Sequence, residues 1–179
     1  MDIGSGNGYP SSALSNFAPH PFVLDGVACA SMEGFLQSLK FKSPEMQEHV
    51  CTLVGKTAKF KGKGKKWYTE QKLYWRGKAY LRDGTEYQNL LNRAYNALYE
   101  NEGFRKALDA THGMTLTHSI GKSRKNETVL TAAEFCSRLT YLRDYGKLPV
   151  KEELFEDERE KHSGDSSVNS KVGGLPERT

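Results

Sequence analysis

The segment from Asp83 to Leu98 most constrains what this chain can fold into. Tyr87, Leu90, Leu91, Ala94, Tyr95 and Leu98 recur at i, i+3, i+4, i+7, i+8 and i+11, which puts all six on one helical face. Asp83 and Glu86 ahead of them have the spacing of a capping box. A helix with so long an apolar stripe must be covered by other elements, so the chain needs a core. At 179 residues with 11% Phe, Tyr and Trp it has the material for one, and one domain is the natural count.

The covering elements are also legible. Ser31 caps a helix whose Met32, Phe35, Leu36 and Leu39 hold the i, i+3, i+4, i+7 spacing. Ser43-Pro44 opens a second helix, with Met46, Val50, Leu53 and Val54 inward, His49 outward and Gly55 closing it. Asn101 to Leu108 predicts a short helix with Phe104 and Leu108 inward. Thr131-Ala132-Ala133-Glu134 is a capping box for a last helix carrying Phe135, Leu139 and Leu142, with Gly146 past its end. Asp25-Gly26, flanked by Phe22-Val23-Leu24 and Val27, signals a β-hairpin. Leu73 to Arg82 has strand-like aromatics but no decisive period, and Trp75 reads as core. The fold class expected is α+β: a predominantly helical single domain with a small β-hairpin or sheet. It spans residues 1–148, followed by a charged tail at 149–179 in which Lys151 to Lys161 has the pattern of an amphipathic helix and Ser163 onward the composition of a disordered chain.

Charge is unevenly spread. Beyond Pro149 there are eight acidic and five basic residues, so the body before the tail is strongly basic although the formal charge of the whole is only +4. A basic body suits anionic partners such as phosphates and nucleic acid. Lys56, Lys59, Lys61, Lys63, Lys65 and Lys66, broken by Gly62 and Gly64 and ending on Trp67-Tyr68, read as a cationic loop with an aromatic end, able to hold a phosphate or stack on a base, or simply to be solvated. Gly4-Ser5-Gly6-Asn7-Gly8 is as glycine-rich as a phosphate loop but lacks the preceding strand and following helix, and a flexible start is expected. Cys29, Cys51 and Cys136 are scattered and outside any CxxC spacing, as for free thiols in a reducing compartment rather than a zinc site or disulfide framework. With no leader pattern and no apolar run near membrane length, a cytoplasmic protein without membrane partners is expected.

The chemistry is carried by a second stripe on the first of these helices. Glu33, Gln37 and Lys40 recur at i, i+4 and i+7, beside the apolar face. That edge can line a cleft, although the same spacing describes an ordinary solvated helix edge. A carboxylate there can stabilise developing positive charge or polarise a water, and a buried amine can act as a nucleophile.

Ser15-Asn16-Phe17, Pro21-Phe22, Gly26, Glu33 and Gln37-Ser38-Leu39-Lys40-Phe41 together resemble the opening of the NADAR (YbiA-like) family of N-glycosidases. The likeness runs from about Asn7 to Asp144. It implies an N-glycosidase that hydrolyses a bond to ribose, with no metal and no cofactor. The expected substrate is an ADP-ribosyl or phosphoribosyl compound: ADP-ribose on guanine bases, favoured by the basic body, or phosphoribosylated intermediates of riboflavin synthesis. A non-catalytic module that binds ADP-ribose or nucleic acid is the alternative. By the resemblance Glu33 and Lys40 are catalytic, Lys40 as the lysine at the reaction centre, and Asn16, Phe17 and Gln37 line the pocket. Gly55-Lys56-Thr57-Ala58-Lys59 and the following Trp67 match a family segment, so Lys56 and Trp67 are assigned to substrate binding. The family's Asp-x-x-Trp-Gly is absent. Aligned on Gly121, this chain has Thr117, His118, Ser119 and Ile120 in its place. His118 is the group there that titrates near neutrality and is assigned an acid–base role, with Gly121 and Lys122 as substrate contacts.

Overall fold

The computed structural model describes residues 1–152; the expected tail helix and disordered segment lie outside the described residues. The fold is α+β, with seven α-helices and two hairpins among those residues. In chain order they are α1 (Ser11–Leu14), β1 (Phe22–Leu24), β2 (Val27–Cys29), α2 (Met32–Ser38), α3 (Pro44–Cys51), α4 (Gly55–Lys63), β3 (Lys72–Trp75), β4 (Lys78–Leu81), α5 (Thr85–Tyr99), α6 (Glu102–Asp109) and α7 (Ala132–Tyr145). None of these helices is long and apolar enough to cross a membrane.

The stripe on α5 is the spine of the core, with Tyr87, Leu90, Leu91, Ala94, Tyr95 and Leu98 all buried. Phe35 from α2 stands edge-on to Trp75 at 5.0 Å and to Phe22 at 6.3 Å, joining both hairpins to α2. Each hairpin is a two-stranded antiparallel pair with a two-residue turn. Asp25-Gly26 and Arg76-Gly77 both take positive φ at both positions, which matches the right-handed strand twist. Asp25 does more than turn the chain. Its carboxylate accepts from Trp75 Nε1 at 2.9 Å and from Arg93 at 2.8 Å, pinning β1–β2 to β3 and α5.

Caps at Ser31, Ser43, Asn101 and Thr131 form as their sequences predict, and Gly146 closes α7 in the left-handed conformation. Five expectations are corrected. The cationic loop is a helix over most of its length: α4 packs Ala58 and Gly62 inward, and that contact overrides the weak helix propensity of its glycines. The second helix ends at Cys51, where Thr52 N closes the last turn on His49 O and Val50 O, so Gly55 opens α4 instead of closing α3. Met46 is exposed, and its neighbour Gln47 is buried instead, bonding Phe41 O and Tyr74 O. No capping box forms at α5: Gly84 is its N-cap without a side-chain bond, and Glu86 pairs with Lys78. The glycine-rich start is pinned, with Ile3 fully buried and Asp2 bridged to Thr117 in parallel.

Candidate active site

α2 is capped at Ser31 and held from two sides. Ser31 Oγ accepts from Gly34 N and donates to Leu53 O, and Glu33 N donates to Asn16 O at 2.9 Å. This sets the polar edge of α2 against a cleft of about 580 Å³. One wall is α2, with Glu33, Leu36 and Gln37, and Lys40 just past its end. The opposite wall is the 118–131 segment with Phe135 of α7, and the rim carries Lys59 and Lys63 of α4 with Lys65, Trp67 and Tyr68.

Glu33 is 9% exposed. Its Oε1 accepts from Gln37 Nε2 at 2.9 Å. Burial raises the Glu33 pKa above the usual carboxylate value, with partial opposition from the Gln37 hydrogen bond and the charge of Lys40. Lys40 moves the other way. Burial lowers its pKa, Glu33 opposes the shift, and the positive charges of Lys122 and Lys59 add to it. The cleft therefore holds a carboxyl group and an amine whose ionisations are drawn toward neutrality from opposite sides, an arrangement suited to proton transfer and nucleophilic attack.

Gln37 is itself locked. A Cβ at Gly62 would lie 1.9 Å from Gln37 Oε1, so α4 passes α2 closely enough that any larger residue there must displace the Gln37 amide. Asn16 accepts from the Tyr95 hydroxyl through Oδ1 at 2.9 Å and has no Nδ2 partner among the described residues, so it can donate into the cleft. Ser15, not Asn16, accepts from Phe17 N to form the local turn. The Phe17 ring lies 5.9 Å beneath Lys59 Nζ. Trp67 lines the cleft but is 9% exposed and packs into the core, so it presents an edge, while the neighbouring Tyr68 is the more open ring. His118 and Gly121 line the far wall with Lys122, and a Cβ at Gly121 would meet His118 Cδ2 at 2.5 Å and Ala132 Cβ at 3.0 Å.

Of the residues expected in the site, Asn16, Phe17, Glu33, Gln37, Lys40, Trp67, His118, Gly121 and Lys122 thus share one cleft, and Lys56 does not line it. The lysines that do, Lys59 and Lys63, are one turn apart on α4. Their i, i+4 spacing would have identified them had the segment been read as a helix. Lys65, which belongs to the cationic stretch, also reaches the cleft, as do Ser5 and the 127–131 strip, and no local sequence signal marks the 127–131 strip.

Residues 8–144 match the model of the family described as bacteriophage protein GP30.3. The chain is 40% identical over 150 residues to the uncharacterized 17.1 kDa protein of the Gp30–rIII intergenic region of enterobacteria phage T4, covering 80% of this chain and 97% of that one. The NMR structure of E. coli YbiA shares the fold, with a TM-score of 0.53 and 17% identity over 80% of this chain and 82% of that one. The chain belongs to the bacteriophage GP30.3 family, a NADAR-like family, and has a YbiA-like fold.

Proposed function

We propose that the protein is an N-glycosidase that hydrolyses the bond between ribose and a nucleobase, acting on guanine that carries ADP-ribose. The observation that carries this reading is the placement of Glu33 and Lys40 in one cleft with opposite pKa shifts. As the base leaves, positive charge builds on the ribose. The protonated Glu33 carboxyl gives its proton to the departing nitrogen, and the resulting carboxylate faces the cationic sugar. The neutral Lys40 amine bonds to C1 and gives a proton back to Glu33. Glu33 then gives that proton to the ring oxygen as the ring C–O bond opens to a protonated Schiff base, and water releases the sugar as an aldehyde, frees the amine and returns a proton to Glu33. One water is consumed and one base and one sugar are released.

Lys59, Lys63, Lys65 and Lys122 surround the same cleft. Four cations favour a pyrophosphate-bearing substrate over an uncharged nucleoside, which supports ADP-ribose as the sugar portion.

The test is release of free ADP-ribose from ADP-ribosylated guanosine, followed by chromatography and mass spectrometry, with a phosphoribosylated pyrimidine intermediate as the second substrate. Release from the first substrate is expected, as is a wild-type adduct trapped by borohydride on Lys40. Lys40→Arg keeps the charge but cannot form the Schiff base, and Glu33→Gln cannot donate the proton. Each is expected to lower kcat by at least about 10²-fold. Full turnover by Lys40→Arg would reduce Lys40 to an electrostatic contact.

A further inference from the structure

The segment that replaces the family's Asp-x-x-Trp-Gly is held by the beginning of the chain. Ile3 N donates to Thr117 O at 2.8 Å, and Thr117 N donates to Met1 O at 3.0 Å. The Asp2 carboxylate accepts three bonds from the same loop: from Ser119 N at 2.8 Å, Ser119 Oγ at 2.7 Å and Thr117 Oγ1 at 3.0 Å. The Ser119 bonds lead in holding Asp2 below the usual carboxylate range. Between these contacts, His118 Nδ1 lies 2.7 Å from Ile3 O.

A carbonyl oxygen can only accept, so Nδ1 must carry a hydrogen. The lone pair of the neutral ring then sits on Nε2. No described residue hydrogen-bonds Nε2, it is not among the sealed unpartnered atoms, and His118 lines the cleft with Glu33. The ring stands edge-on to Phe135 at 5.1 Å and lies so close to Gly121 that a Cβ there would come within 2.5 Å of His118 Cδ2.

We infer that the N-terminal segment is part of the active site: the Ile3 carbonyl and the Asp2 carboxylate position His118 as its Nδ1–H tautomer, with the Nε2 lone pair presented to the cleft. This rests on the glycosidase reading for the use made of the imidazole. Nε2 takes a proton from the water that adds to C1 of the Schiff base. It passes that proton to the Lys40 nitrogen and takes the hydroxyl proton as the aldehyde forms and the C–N bond breaks. Asp2 touches no substrate; it is a positioning residue, acting through the loop that carries His118.

The experiment pairs ring-nitrogen NMR of the 15N-labelled full chain, at a pH where His118 is neutral, with the turnover assay above. The wild type is expected to show the Nδ1–H form. Asp2→Ala, and separately the double variant Thr117→Val with Ser119→Ala, are expected to shift His118 toward Nε2–H. The same variants should lower kcat about tenfold or more with KM changed less than about twofold, and Asp2→Asn, which keeps one acceptor oxygen, should recover part of the loss. His118→Ala should lose about 10²–10⁴-fold in kcat, the usual worth of a general acid–base group. A wild-type Nε2–H tautomer overturns the positioning, as does an Asp2→Ala protein with unchanged tautomer and rate. Full kcat in His118→Ala overturns the catalytic use while leaving the glycosidase reading standing. Absence of turnover in a wild type that shows an Asp2-dependent Nδ1–H form overturns the glycosidase reading and leaves the positioning in place.

Discussion

The paired shifts of Glu33 and Lys40 give a residue-scale expectation that needs no assignment of which form is active. Burial moves Glu33 up from 4.5 and Lys40 down from 10.5. A rate that depends on both groups is then bell-shaped in pH, with its acid limb above 4.5 and its basic limb below 10.5. Glu33→Gln should remove the decline at high pH from the profile of its residual kcat/KM, leaving one rising limb set by Lys40. A residual profile that keeps both limbs would assign the second limb to another group. The stripe that carries these residues was readable because i, i+4, i+7 spacing is a local property of a helix. What faces it was not. Ser5 and the 127–131 strip reach the cleft only because the chain returns there. Asp25 is similar: its turn role is written in the Asp-Gly pair, but its bonds to Trp75 and Arg93 are long-range.

At the scale of elements, the α2–α4 contact decides whether the site is preorganised. Gly62 and Gly64 look like breaks in a cationic loop, yet the segment that ends on them is the helix α4. Gly62 is a packing residue instead, and its interior position on α4 is what lets the helix approach Gln37. Gly62→Ala gains helix propensity, worth up to about 1 kcal/mol. It also drives a methyl into a buried amide whose Nε2 holds Glu33, and overpacking of this kind costs about 1–3 kcal/mol. The clash should win, so Gly62→Ala is expected to lower the melting temperature and kcat together. A raised melting temperature with intact kcat would show that Gln37 has room to move aside. The same logic applies across the cleft at Gly121. There Ala132 Cβ stands at 3.0 Å from the missing Cβ and cannot swing away, so Gly121→Ala should displace the His118 ring or the loop itself.

Over the whole molecule, one buried ion pair ties the cleft wall to the core. Arg82, at the end of β4, is 1% exposed. It donates to both oxygens of Glu134, at 2.6 and 3.2 Å, and to Thr128 O at 2.7 Å. Glu134 also accepts from Thr131 N at 2.8 Å and from Gln88 of α5 at 2.7 Å, so β4, α5, α7 and the 128–131 strip of the cleft meet at one carboxylate. Burial alone would raise the Glu134 pKa, but the Arg82, Gln88 and Thr131 donors outweigh it and hold the group at about 2. A carboxyl depressed on folding stabilises the fold above its unfolded pKa, and that contribution is lost as pH falls through the folded value. Stability should therefore hold from neutrality down to about pH 5 and decline between about 4.5 and 2, read by urea unfolding across that range. Glu134→Gln should remove much of this acid-induced decline. At neutral pH it should cost about 3–5 kcal/mol, because Arg82 is left buried without its counter-charge. Replacing both partners, Arg82→Met with Glu134→Leu, leaves no orphaned charge and should recover a large part of that loss. If the double variant is as unstable as Glu134→Gln, the carboxylate's bonds to Thr131 N and Gln88, rather than its pairing with Arg82, are what hold the cleft wall against the core.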